Sequence, residues 1–253
     1  MEISESINNY DPMEFEKSFM DRSRRKSDNL IEIFLVAYFT LGIGLAFFYD
    51  TWMIALVSGG ACMAAYFAAK KMFPGTNVYH YVAGAVMAVF MAQFIYQMHG
   101  LFEMHFFAFI GSALMITYQN WKAQIPIALL VVVHHAIFGY IQYGSYINNE
   151  ENTIYFTQLD YMDLQTFIIH GILATVIFFI CGLWAYQMDK RTRETIENSK
   201  NIFAVAQMND GVTKNLEYAL LLSDGGMDEP IKFEDGDLMG EALSKIQRKL
   251  AGR

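Results

Sequence analysis

The chain has 253 residues, 54% of them apolar, which is above the roughly 45–50% of a soluble domain. Its 18 basic and 26 acidic residues leave a net charge of −8, which excludes the basic face that nucleic-acid binding requires. Cys62 and Cys181 both fall in apolar runs, where thiols pack as small hydrophobes, so no disulfide framework is expected.

Residues 1–29 are rich in charge and contain no apolar h-region, so they predict a cytoplasmic N-terminal segment rather than a cleaved leader. Residues 30–187 hold the long apolar runs. A bilayer core about 30 Å thick needs about 20 residues of helix, and six stretches meet or approach that length: 30–49, 52–70, 79–99, 101–119, 123–143 and 164–187. The expected fold is therefore all-α, a polytopic bundle of six transmembrane helices. Short reversals at Asp50 and Thr51, and at Gly100, imply antiparallel neighbours.

Lys and Arg accumulate on the cytoplasmic side of membrane segments. Arg22, Arg24, Arg25 and Lys26 precede the first span, Lys70 and Lys71 follow the second, Lys122 joins the fourth to the fifth, and Lys190, Arg191 and Arg193 follow the sixth. The alternate loops carry none, and the 144–163 loop is acidic through Glu150, Glu151, Asp160 and Asp163. Both termini are expected in the cytoplasm of a bacterial inner membrane.

Beyond the sixth span, 188–200 reads as a helix leaving the membrane and 201–222 as a second amphipathic segment, stopped by Asp224, Gly225 and Gly226. A last helix is predicted from Asp237. Its Met239, Leu243, Ile246 and Leu250 follow 4-3-4 spacing, a stripe suited to a partner helix.

All six histidines lie in the membrane half. His99, His105, His134, His135 and His170 fall within roughly 15 Å of the outer interface at 1.5 Å per residue, with Glu103 the one carboxylate among them. His80 starts the third span at the opposite face and reads as an interfacial or core histidine. Imidazoles in hydrocarbon are costly, so several at one depth suggest a transition-metal ion that satisfies them. This donor set suits iron, copper or zinc, with iron or copper favoured. Five histidines exceed one tetrahedral site, which points to a dinuclear centre or to one ion with outer imidazoles. Gln93, Gln97, Tyr140 and Gln142 are the expected outer partners. The same residues also suit a metal-free polar network.

Two resemblances add to this reading. Residues 201–252, with the spaced Met227, Ile231 and Phe233 and the signature Asp237-Leu238-Met239-Gly240, resemble a HAMP module. That resemblance implies a parallel dimeric bundle coupling a membrane sensor to a chemotaxis transmitter, kinase or cyclase. The chain ends thirteen residues after Gly240, where such an output domain is expected to begin. The runs YQMHGLFEMHF (96–106), NW (120–121) and VVVHHAIFGYIQYG (131–144), with the His170 helix, resemble the membrane sensor region of bacterial methyl-accepting chemotaxis proteins and diguanylate cyclases. It implies a sensory role for His99, Glu103, His105, His134, His135 and His170. The expected function is a homodimeric metal-dependent sensor of redox state, oxygen or metal. A membrane metalloenzyme (oxidoreductase or zinc hydrolase) using Glu103 as acid or base, and a haem protein with two axial histidines, are the alternatives.

Overall fold

A computed structural model describes residues 11–151, 154–223, 233 and 237–251, and all regular structure among them is helical. The first helix, α1 (Pro12–Tyr49), begins well before the apolar run. Asp11 caps it, its carboxylate accepting from the Met13 N–H at 2.8 Å, with Pro12 at the first helical position. Residues 12–29 contain no glycine and no further proline, so the charged segment simply continues into the apolar one. After Asp50, in the left-handed region at φ +54°, the chain reverses into α2 (Trp52–Met72).

The next helix, α3 (Val78–Gln97), is central: 67% of its most apolar window is buried. A helix apolar on every face belongs in the interior, and α3 supplies much of the core through Met87, Phe90, Met91, Phe94 and Ile95. Tyr38 of α1 meets Phe90 and Phe94 edge-on, with ring centroids 5.8 and 5.6 Å away. The following segment begins with a 3₁₀ turn (Phe102–His105), continues as α4 (Phe106–Met115) and ends in a second 3₁₀ turn (Ile116–Tyr118). Then come a third 3₁₀ turn (Trp121–Ala123) and α5 (Gln124–Asn148). Ser112 of α4 donates to Gln124 Oε1 at 2.7 Å, and Gln124 returns a bond to the Ser112 carbonyl.

Asp163 caps the longest element, α6 (Leu164–Ser223), accepting from the Thr166 hydroxyl and its N–H. These bonds hold the Asp163 carboxyl below the usual range, the hydroxyl contributing most. No break separates the expected span, linker and amphipathic segment; α6 is one helix of 60 residues. The last helix is α7 (Leu238–Ala251).

Among the described residues, five helices are long and apolar enough to cross a membrane, those at Pro12–Tyr49, Trp52–Met72, Val78–Gln97, Trp121–Asn148 and Leu164–Leu222. They mark the chain as a membrane protein. The predicted fourth span is shorter, covering Phe102–Tyr118.

The chain forms two compact units, residues 20–192 and residues 1–19 with 193–253. In the second unit Lys200 pairs with Glu16 at 2.5 Å and Phe15 lies 6.1 Å from Phe203. Asp237 joins α6 to α7. Both its carboxylate oxygens accept from the Asn215 amide at 3.0 Å, and one accepts from the Gly240 N–H at 3.0 Å. A Cβ at Gly240 would stand 2.5 Å from that carboxylate and 2.5 Å from Phe233 Cβ, so the acidic residue and the glycine three positions later form one capping device. Of the rest of the predicted signature, Met227 and Ile231 lie outside the described residues.

Candidate metal centre

Four of the predicted imidazoles come together. His105 arrives from the 3₁₀ turn before α4, His134 and His135 from α5, and His170 from α6. The rings of His105, His135 and His170 form a triangle with centroid separations of 5.4, 5.3 and 5.7 Å, and His134 lies 5.4 Å from His135. His105, His134 and His135 are buried, while His170 is half-buried.

The hydrogen bonds inside the triangle define its chemistry. His135 Nδ1 is 2.7 Å from the Val131 carbonyl, an acceptor only, so Nδ1 carries the proton and Nε2 keeps its lone pair. That lone pair accepts from the His170 Nε2–H, 3.3 Å away. Nearby, His105 Nδ1 and both nitrogens of His134 are buried without a hydrogen-bond partner. An unpaired buried polar atom costs about 1–3 kcal/mol, and among the described residues one such atom lies on the triangle and two lie on His134 beside it.

A loop closes the cluster. Phe156 is buried, its ring 5.0 Å from His135 and 5.5 Å from His105. Gln142 holds the loop with four bonds: its Oε1 accepts from the Phe156 and Thr157 N–H groups at 2.9 Å, and its Nε2 donates to the Thr157 and Leu159 carbonyls at 2.8 and 2.6 Å. The far side of the loop rests on Gly100, where φ is +80° and a Cβ would stand 2.4 Å from the Thr157 carbonyl carbon. Only glycine provides both the left-handed turn and the close approach.

The remaining predicted residues lie elsewhere. His99, also left-handed at φ +49°, is sandwiched between Tyr49 and Tyr155 with centroids 3.9 and 4.4 Å away. Glu103 is exposed on the 3₁₀ turn whose buried side carries His105, because residues two apart on such a turn point in different directions. Gln93 and Gln97 tie helices together: Gln93 donates to Gln97, and Gln97 donates to the Gly42 carbonyl and Thr51 hydroxyl. Tyr140 is exposed, whereas Gln142 acts through the loop. His80 stacks on Tyr118 at 3.8 Å, far from the triangle in the fold and buried. Sequence reading missed Phe156 and its loop; an amide at position 142 inside an apolar helix was the available signal.

Among the described residues, no group of three or more His, Cys, Asp or Glu side chains is placed so that it could hold a metal ion. One edge of the imidazole triangle, His135 to His170, has the spacing of a metal-bound pair. With metal–nitrogen bonds of about 2.0–2.1 Å, tetrahedral ligand nitrogens stand about 3.3–3.4 Å apart and their ring centroids about 5.2 Å apart. The Nε2 to Nε2 separation of 3.3 Å and the shortest centroid separation of 5.3 Å match those edges. The Glu103 carboxylate is absent from this set, which leaves three imidazoles and His134 beside them.

Comparison of the chain with protein-family models, with curated proteins and with solved structures found no match.

Proposed function

We propose that the protein is a membrane sensor in which His105, His135 and His170 hold one transition-metal ion, and that the state of this ion is passed along α6. The observation that carries the reading is the 3.3 Å approach of His135 Nε2 to His170 Nε2, with the opposite nitrogen of His135 fixed by the Val131 carbonyl. A carbonyl that fixes the tautomer of an imidazole is the usual outer partner of a metal ligand. Imidazole donors suit copper, iron and zinc. A bound copper or iron ion would supply a one-electron change of charge, which weighs heavily in a low-dielectric setting. Two axial imidazoles on a haem would hold their nitrogens about 4 Å apart at about 2 Å per bond, so the observed separation favours a bare ion. Glu103, the one carboxylate that the sequence sets among these histidines, is exposed rather than beside the triangle, which favours one ion and a sensing role over a hydrolase.

Six spans and cytoplasmic termini complete the proposal. The Phe102–Tyr118 segment has ten α-helical and seven 3₁₀ residues, and at about 1.5 and 2.0 Å per residue it extends about 29 Å, enough for the bilayer core. Output runs through a homodimer. Ile202, Val205, Val212, Leu216 and Leu220 along α6, and Met239 and Ile246 on α7, are exposed in the single chain, while the polar Ser244 and Gln247 are buried. An apolar stripe left outward is what a second copy would cover in a HAMP-like bundle feeding a chemotaxis or cyclase output domain.

The test is metal content of the full chain purified in detergent, with an absorption spectrum before and after reduction. About one ion per protomer is expected, lost in His135→Ala and in His105→Ala. An unchanged metal content in both variants, or a haem spectrum, would overturn the proposal.

A further inference from the structure

A second polar site lies at the other end of the bundle, between α1, the end of α2 and the turn that follows it. It is a cleft of about 330 Å³ whose lining includes Asp21, Arg24, Arg25, Asp28, Lys70 and Tyr79. Asp28 is the key group because it is 5% exposed. Its Oδ2 accepts from Lys70 at 3.1 Å and from the Tyr79 hydroxyl at 3.3 Å. Its Oδ1 is buried and has no partner. Lys70 also pairs with Glu32 at 2.5 Å, so two of its three ammonium donors are engaged by carboxylates.

On the basic side, Arg24 donates to the Gly75 carbonyl, which pins the guanidinium at the rim. Arg25 is exposed beside it. Counting Glu32, three cations face three carboxylates, so the cleft is neutral overall yet divided in sign. A simple anion would meet the buried Asp28 carboxylate, and a simple cation would meet two guanidinium groups. A zwitterion satisfies both sides. Its cationic end must also carry N–H donors, because the unmet atom is a carboxylate oxygen.

We propose that this cleft binds a phosphoethanolamine group, its primary ammonium donating to the Asp28 carboxylate and its phosphate lying against Arg24 and Arg25. Guanidinium groups recognise phosphate through paired N–H donors. The cleft sits where a basic cluster flanks the ends of two apolar helices, the level at which lipid headgroups lie. The same chemistry is available from phosphatidylethanolamine in the bilayer and from a soluble phosphoethanolamine ester. This assignment is independent of the imidazole cluster.

The test is lipid retention by the full chain in detergent, read by native mass spectrometry after exchange with phosphatidylethanolamine, phosphatidylcholine or phosphatidylglycerol. Phosphatidylcholine carries a cation without N–H donors, and phosphatidylglycerol has no cation. Retention of phosphatidylethanolamine is expected to exceed that of both by about tenfold, the effect of one charge-assisted hydrogen bond. Asp28→Asn should erase the preference over phosphatidylcholine. Arg25→Gln, at an exposed position that leaves packing intact, should weaken retention of all three phosphate esters. Displacement by soluble phosphoethanolamine would assign the site to the free ester, and resistance to it would assign the site to lipid. Equal retention of the three lipids by the unaltered chain, or unaltered retention in Arg25→Gln, would overturn the proposal.

Discussion

Replacing Gln142 by Leu preserves the bulk of the side chain and removes four hydrogen bonds to the loop over the imidazoles. Phe156 and Thr157, whose N–H groups both bond Gln142 Oε1, are each 1% exposed. Two buried N–H groups left unpaired cost about 1–3 kcal/mol each, so the closed loop loses roughly 2–6 kcal/mol. Few local contacts can offset that, and the loop should open. Hydrogen exchange of the 154–163 backbone in detergent is the assay. Exchange there should quicken at least about 30-fold, since each 1.4 kcal/mol is a factor of ten. Peptides from α3, buried in the core away from the loop, should exchange as before. If the 154–163 amides kept their protection in the variant, the clamp assigned to Gln142 would be wrong, and with it the seating of Phe156.

Gly100→Ala places a Cβ 2.4 Å from the Thr157 carbonyl carbon at φ +80°. The left-handed conformation alone costs about 1–2 kcal/mol, so the midpoint of thermal unfolding should fall by roughly 2–8 °C; an unchanged midpoint would refute the close approach. Glu103→Gln should leave metal content unaltered, because the carboxylate is exposed, whereas His170→Ala should lower it; equal losses would return Glu103 to the site. The Asp237 carboxyl is held below its ordinary value of 3.8 by the Gly240 N–H and then by the Asn215 amide. A depressed folded value contributes stability that is full above the unfolded value and is lost as pH falls through the folded one. Cleavage near Leu243 by an acid-active protease should therefore rise below about pH 4 relative to Asp237→Asn, whose side chain caps without titrating; parallel curves for the two chains would refute this.

Helix positions were legible because spans announce themselves by length and apolarity, and the bilayer leaves a chain few other options. The start of α1 was not, since 12–29 lack apolar periodicity and their helix rests on capping by Asp11 and the absence of breakers. Depth along each helix grouped His105, His134, His135 and His170, whose rings lie near one another in the structure. It also grouped His99 and Glu103 with them, because depth says nothing about azimuth: the 3₁₀ turn sends Glu103 and His105 in different directions, and the left-handed backbone at residue 99 swings that imidazole between two tyrosines. Contacts that depend on a loop folding back, such as Phe156 over His135, leave no periodic trace in the sequence.

The unbroken course of α6 has a geometric consequence for any message it carries. Helical backbone is unbroken from His170 to Ser223, and along a helix each residue turns the next by about 100°. Each residue inserted between 188 and 200 would swing everything downstream by about 100°, while seven would restore the register to within about 20°. Output should therefore track the number of inserted residues as an oscillation rather than a steady decline, with the angular setting of the stripe, not its distance from the bilayer, deciding which state is read.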